Sequence, residues 1–279
     1  MTTNSERAQA SEIREKCRAL RDLHAAGCFV IPNPWDPGSA VLLEQLGFRA
    51  LATTSSGFAW SIGRADNHVA LADALAHCRA MSAAVRLPIS ADFEGGLAVE
   101  PAEVASNVAA AAATGIAGLS IEDSSKDTAA PLFEFDLALE RVRAARRAID
   151  DGPAPLVLTA RSEGFIAGRP DLGETIRRLT AFAEAGADCV FAPGIRDEQQ
   201  IRTIVSAVAP TPVNVLVSSD FTTVARLAEI GVRRISVGGA LARAAWGAFL
   251  RAATEIAQQG TFTELTHGVP SADFDRRFS

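Results

Sequence analysis

Residues 90–96, Ser90-Ala91-Asp92-Phe93-Glu94-Gly95-Gly96, follow the apolar run Leu87-Pro88-Ile89 and set two carboxylates, two residues apart, before two glycines. Carboxylates at the edge of a core lose solvation unless a cation or hydrogen-bond donors meet them, and a divalent cation is the economical partner. The glycines let backbone approach closely, or turn with positive φ, where the carboxylates project. Glu122, ending the next apolar run, and Asp66, from an earlier loop, complete a candidate cluster in which Asp92, Glu94 and Glu122 are metal ligands. Oxygen donors without His or Cys nearby favour Mg2+, with Mn2+ as the alternative, over zinc. Each acid taken singly suits a helix N-terminus equally well; the grouping on adjacent strands is what points to a metal.

Arg161 closes the run Leu156-Val157-Leu158-Thr159-Ala160. Its planar guanidinium suits a substrate carboxylate or phosphonate, and also a salt bridge to Glu122 or Glu163. Ser56-Gly57 offers backbone N–H groups to an oxyanion. Trp35, beside Asn33 and Asp36, and Asn214 end other apolar runs and are candidates for substrate contact.

These groups share one mouth only if the runs that carry them close into a barrel. Strands are expected at 28–31, 49–53, 88–91, 117–121, 156–160, 188–191, 213–217 and 234–237. Helical spacing is expected at 11–26, 38–46, 69–85, 101–113, 136–150, 172–185, 197–208, 221–229 and from about 239, several of them ending at a glycine. Short, continuously apolar strands joined through helices belong to a parallel sheet covered on both faces. Eight of them fit an α/β (β/α)8 TIM barrel, for which 279 residues suffice. The rival is an open doubly wound sheet, but no G-x-G-x-x-G follows the first strand. The expectation is one barrel domain over 1–279, with a polar extension at about 1–10 and a tail at about 261–279, where Phe274 and Phe278 dock on a neighbour.

With 48% hydrophobic and 22% charged residues the chain is core-forming, and a net charge of -6 argues against nucleic acid as a partner. Cys17, Cys28, Cys78 and Cys189 show no C-x-x-C spacing, so they read as inert thiols of a reducing compartment. Residues 1–22 lack an apolar leader core and no run approaches the roughly 18 apolar residues of a membrane span, which makes the cytoplasm the expected location. His24, His68, His77 and His267 carry little weight as ligands.

In this order, the residues resemble the isocitrate lyase/phosphoenolpyruvate mutase superfamily over roughly residues 20–258. Ser56-Gly57-Phe58 resembles its Ser-Gly-Leu/Val loop, and Gly63-Arg64-Ala65-Asp66 its Gly-x-x-Asp. Residues 91–96 are similar to its Asp-x-Asp-x-Gly-Tyr/Phe-Gly, Ile121-Glu122-Asp123 to its strand-four motif, and Ala160-Arg161 to the end of its fifth strand. Phe165-Ile166-Ala167-Gly168 is similar to the mutase branch. The resemblance implies Mg2+ held by Asp92, partly through water, with Glu94 and Glu122 in support. It implies a 2-oxo acid whose oxo oxygen faces Ser56-Gly57 and whose carboxylate or transferring group meets Arg161. The chemistry passes through an enolate of pyruvate type.

Departures narrow the branch. The lyases' mobile loop carries Lys-Lys/Arg-Cys-Gly-His, whereas residues 123–130 here hold neither Cys nor His, and only Lys126 resembles the mutase loop. Arg161, Glu122, Asp66 and Lys126 are therefore the expected catalytic set. The expected activity is Mg2+-dependent C–C cleavage or decarboxylation of a small 2-oxo or 2-hydroxy (di)carboxylic acid. The alternatives are a phosphonopyruvate mutase or hydrolase, and a non-catalytic barrel that binds a 2-oxo acid. The resemblance also implies a homodimer or homotetramer in which the last helix packs on a neighbouring barrel.

Overall fold

Strands and helices alternate through the computed structural model, which describes residues 4–279 and side chains from residue 10 onward. The strands are β1 (Phe29–Ile31), β2 (Leu51–Ala52), β3 (Ile89–Asp92), β4 (Gly118–Glu122), β5 (Val157–Arg161), β6 (Cys189–Phe191), β7 (Val213–Leu216) and β8 (Arg234–Ser236). The helices are α1 (Asn4–Ala25), α2 (Pro37–Gln45), α3 (Ser55–Ser61), α4 (Leu71–Ala84), α5 (Pro101–Ala112), α6 (Phe135–Asp150), α7 (Leu172–Glu184), α8 (Glu198–Val208), α9 (Val224–Glu229), α10 (Ala240–Gln259) and α11 (Ser271–Phe278), with a 3-10 turn at Thr263–His267.

All ladders are parallel, in the order β1-β8-β7-β6-β5-β4-β3-β2, which makes a nearly closed (β/α)8 barrel. The seam between β1 and β2 has no regular ladder, because Pro32 and Pro34 flank Asn33 and offer no N–H. Asn33 takes over that role: its amide donates to Thr53 O at 2.9 Å, and its Oδ1 accepts from Val237 and Gly238 N–H at 2.8 and 2.9 Å. Ala52 N–H, donating to Pro32 O at 3.0 Å, completes the closure.

Side chains alternate along a strand, so each strand feeds the interior at every second residue. One parity gives Leu119, Ile121, Leu158, Ala160, Val213, Val215 and Ile235, buried beneath the helices. The other gives Ser90 and Asp92, Ser120 and Glu122, Thr159 and Arg161, Asn214, and Arg234 with Ser236, together with Phe29, Ile31, Val157 and Phe191, so the barrel interior is mixed, with many polar side chains where barrels are usually filled with aliphatic ones. Beneath it α1 closes the bottom: Cys17, Leu20 and Leu23 are buried, and Arg14 and Arg21 bond Pro153 O and Pro155 O.

Several boundaries differ from expectation. α1 begins at Asn4 rather than Ser11, so the polar start joins the helix; residues 1–3 lie outside the described residues. Ser55-Ser56-Gly57 opens α3 instead of merely ending a strand, since Thr54 caps it by accepting from Gly57 N–H at 3.4 Å. The tail folds back as α11 onto α2, where Gln45 donates to Arg277 O, while Phe274 and Phe278 stack on each other and stay partly exposed. All four cysteines are free, and burial pushes the Cys78 thiol up to about 12. Among the described residues no helix is long and apolar enough to cross a membrane.

Candidate active site

The carboxyl ends of the strands surround a cavity of about 190 Å³. Asn33, Ser55, Ser56, Asp66, Asp92, Arg161, Asn214 and Arg234 line it. Asp92, the last residue of β3, stands on its wall beside Ser55 and Arg161. One carboxylate oxygen accepts from Arg161 Nη1 at 2.6 Å and Ser120 Oγ at 3.4 Å, and the other from Ser55 N–H at 3.0 Å. The α3 N-terminus thus already points at a negative charge, as first-turn N–H groups do.

Arg161 carries both parts of its expected character. Its guanidinium bridges Asp92 at 2.6 Å, Glu122 at 3.2 Å and Glu163 at 2.9 Å, over the Phe191 ring at 5.3 Å. Burial alone would pull its pKa down, but Glu163, Glu122 and Asp92 together outweigh that and hold it fully charged. One cation does not neutralise three carboxylates. Burial, reinforced by neighbouring acids, leaves Glu122 well above the usual carboxylate range and Glu163 above it, although Arg161 opposes both shifts. Asp66 is also raised, by burial first and by the charge of Asp92 second.

Other expected residues stand off the cavity wall. Glu94, with a left-handed φ of 49°, turns its carboxylate to the Lys126 ammonium. Lys126 faces an adjoining surface hollow with Gly95 and Ser124. Gly57 is buried against Trp35: a Cβ there would meet Thr54 Cγ2 at 2.7 Å and Trp35 Cβ at 2.9 Å. Trp35 and Gly57 are therefore packing partners behind the mouth, and Phe58 stacks on His77 at 3.9 Å. The Gly57 N–H is committed to the Thr54 cap, so of the Ser56-Gly57 pair Ser56 is the one on the cavity wall.

Two buried arginines hold the carboxylate loops in place. Arg141 donates to Ala98 O at 2.6 Å and also to Val99 O and Gly95 O, tying down the loop after Glu94. A side chain at Gly95 would bring its Cβ to 2.8 Å from Arg141 Nη2. Arg178 pairs with Asp123 at 3.1 Å, and Asp123 accepts from Glu163 N–H at 2.8 Å, which joins the loops after β4 and β5. Glu163 was expected as an ion-pair partner of Arg161 and is one at 2.9 Å, whereas Arg234 on the cavity wall was not expected as a member of the site. The signal for Arg234 is its parity with Ser236 on either side of the apolar Ile235.

The donor set has a definite bearing on a metal. Among the described residues no three His, Cys, Asp or Glu side chains converge as a direct cage, so the set Asp92, Glu94 and Glu122 does not form one. The reason is that Glu94 and Glu122 are engaged by Lys126 and Arg161. Asp66 and Asp92, by contrast, share the cavity wall and repel each other. One or two carboxylates in a polar, acid-rich pocket suit Mg2+, which retains several waters, better than a cation that needs a full protein cage.

A family model for phosphoenolpyruvate phosphomutase matches residues 20–257. An uncharacterized protein of Mycobacterium tuberculosis is 33% identical over 260 residues, 93% of this chain and 95% of that one. The oxaloacetate decarboxylase of Pseudomonas aeruginosa is 29% identical over 84% of this chain and 82% of its own. Among solved structures, a provisionally named lyase/mutase from Burkholderia cenocepacia J2315 superposes with a TM-score of 0.93 at 46% identity, over 96% of this chain and 97% of that one. A 2,3-dimethylmalate lyase superposes at 0.83 with 26% identity, over 96% and 94%. Matched by that family model over residues 20–257 and built as the same barrel, the chain belongs to the phosphoenolpyruvate phosphomutase family, within the isocitrate lyase/phosphoenolpyruvate mutase superfamily of lyases and mutases.

Proposed function

We propose that this protein is a Mg2+-dependent lyase or decarboxylase that cleaves a C–C bond of a small 2-oxo or 2-hydroxy acid through an enolate of pyruvate type. The observation that carries this reading is Asp92 on the cavity wall, held between the α3 N-terminus and the Arg161 guanidinium. Asp92 would hold the ion, with Asp66 on the same cavity wall and Glu122 and Glu94 supporting through water. When bound, Mg2+ supplies Lewis-acid stabilisation where negative charge develops. The protein's own part is positional. Arg161 presents a fixed positive charge to the substrate carboxylate, and the first turn of α3, at Ser56, presents backbone dipoles to the oxo oxygen. Phe191, Ile166 and Pro193 supply the apolar part of the wall.

The test is pyruvate release, with and without Mg2+, from oxaloacetate, 2-alkylmalates, methylisocitrate and phosphonopyruvate. Metal-dependent release from a carbon acid is expected; release from phosphonopyruvate alone would assign P–C chemistry, and binding without turnover would leave a ligand-binding barrel. In the same assay Lys126→Ala is expected to lower kcat by about tenfold, through loss of the Glu94 partner rather than of a proton donor, because Lys126 stands off the cavity. A loss on the order of ten-thousandfold would instead make it the acid/base.

Relatives' assembly states aside, α10 leaves Trp246, Phe249 and Leu250 exposed at 37%, 58% and 59%. A row of large apolar side chains along one helix marks an interaction face, and we propose that two copies pack through it. Light scattering should return at least twice the 29.3 kDa chain mass. Phe249→Glu with Leu250→Glu should return the monomer, and a monomeric wild type would contradict the proposal.

A further inference from the structure

Arg234 opens β8 and points into the barrel, 5% exposed, on the wall of the same cavity as Arg161. The two arginines have opposite surroundings. Arg161 is shared by three carboxylates, whereas every hydrogen-bond partner of Arg234 among the described residues is neutral: Asn214 Oδ1 at 2.8 Å, Thr159 Oγ1 at 2.9 Å and His24 Nε2 at 3.4 Å. His24 cannot supply a compensating charge. Its Nδ1 lies 2.8 Å from Leu20 O and must donate there, so Nε2 is the acceptor that Arg234 meets; burial and Arg234 together push the imidazole down to about 3. Arg234 Nη2 has no partner among the described residues.

A buried guanidinium without a counter-charge is costly, and a protein holds one where something else provides the anion. Asn214 lies beside Arg234 in register, and Ser90, Ser120 and Ser236 share the cavity wall with it alongside the apolar Ile31 and Leu216, so the cavity that holds Asp92 also reaches Arg234. We propose that Arg234 is a specificity-determining residue that binds the second carboxylate of a dicarboxylic 2-oxo or 2-hydroxy acid whose other end lies at Asp92 and Arg161. This rests on the 2-oxo acid reading above for the first end only. A planar fork with a free nitrogen suits a carboxylate approached end-on from the cavity.

The test separates the two readings by using succinate, which has no oxo group and needs no metal. In metal-free wild type at matched ionic strength, succinate at 10 mM is expected to raise the melting temperature by several degrees and acetate to leave it unchanged. Equal effects of succinate and acetate would overturn the proposal even if the enzyme forms enolates. A larger shift with methylphosphonate than with succinate would overturn the carboxylate assignment. In Arg234→Gln, the ratio of dicarboxylate to monocarboxylate dissociation constants, succinate against acetate or oxaloacetate against pyruvate with Mg2+, is expected to rise about thirtyfold, and Arg234→Lys to recover part of it. An unchanged ratio in a folded variant would overturn the proposal; should Arg234→Gln fail to fold, the wild-type melting comparison decides.

Discussion

Arg161→Gln should cut activity sharply and weaken the fold together, with a stability deficit that depends on pH. The guanidinium is the common partner of Asp92, Glu122 and Glu163, at 2.6, 3.2 and 2.9 Å, and all four groups are largely buried. Removing one partner of a buried ion pair leaves uncompensated charge and costs about 3–5 kcal/mol, a loss on the order of 10 °C in melting temperature for a chain of this size. Turnover should fall about a thousandfold, since a fixed charge aimed at the reacting group is lost. The sign of the pH effect follows from the carboxylates. Burial already holds Glu122 and Glu163 above their ordinary range, and Arg161 opposes that rise, so without it both climb further. An acid whose pKa is higher folded than unfolded stabilises the fold below its unfolded value and loses that contribution as pH climbs through the folded value. The melting deficit of the variant should therefore be small near about pH 5 and large near about pH 8. Equal deficits at both would show that Glu122 and Glu163 do not bear the cost.

Asp92→Asn should separate metal binding from folding. The amide oxygen keeps an acceptor for Ser55 N–H, now at 3.0 Å, and Glu122 and Glu163 still hold Arg161. Stability should then change by no more than about 2 kcal/mol. Mn2+ affinity, read by calorimetry, should fall at least about a hundredfold, and turnover on the order of a thousandfold. Retained Mn2+ affinity would move the ion away from Asp92, towards Asp66 or Glu94.

The barrel was legible because the strand runs are apolar, short and regularly separated by helical spacing, and strand parity then sends Asp92, Glu122 and Arg161 to one mouth. What parity does not encode is which acid meets which base. Asp92 and Glu94 share a parity in sequence, yet the backbone turns left-handed at Glu94 and delivers its carboxylate to Lys126 instead of the cavity. Ser56-Gly57 was recognisable as a donor pair, but the Thr54 cap that occupies Gly57 N–H depends on α3 starting at Ser55, a seven-residue helix too short to show apolar spacing of its own. Trp35, Gly57 and Phe58 are close in space to the mouth and face away from it, which type and spacing alone do not distinguish. Arg234 went unnoticed for the opposite reason. The second of two adjacent arginines at a strand start looks like a surface residue until the register with Asn214 turns it inward.

The central claim is that these residues stabilise the enolate of a 2-oxo acid, whatever bond the natural substrate breaks. Incubating the protein with pyruvate in D2O and following the methyl signal by NMR tests it without knowledge of that substrate. Wild-type protein with Mg2+ should exchange the methyl protons for deuterium well above the rate of Mg2+ alone, and should cease to do so on chelation or in Asp92→Asn. Pyruvate that binds with Mg2+ present yet keeps its methyl protons would contradict the account.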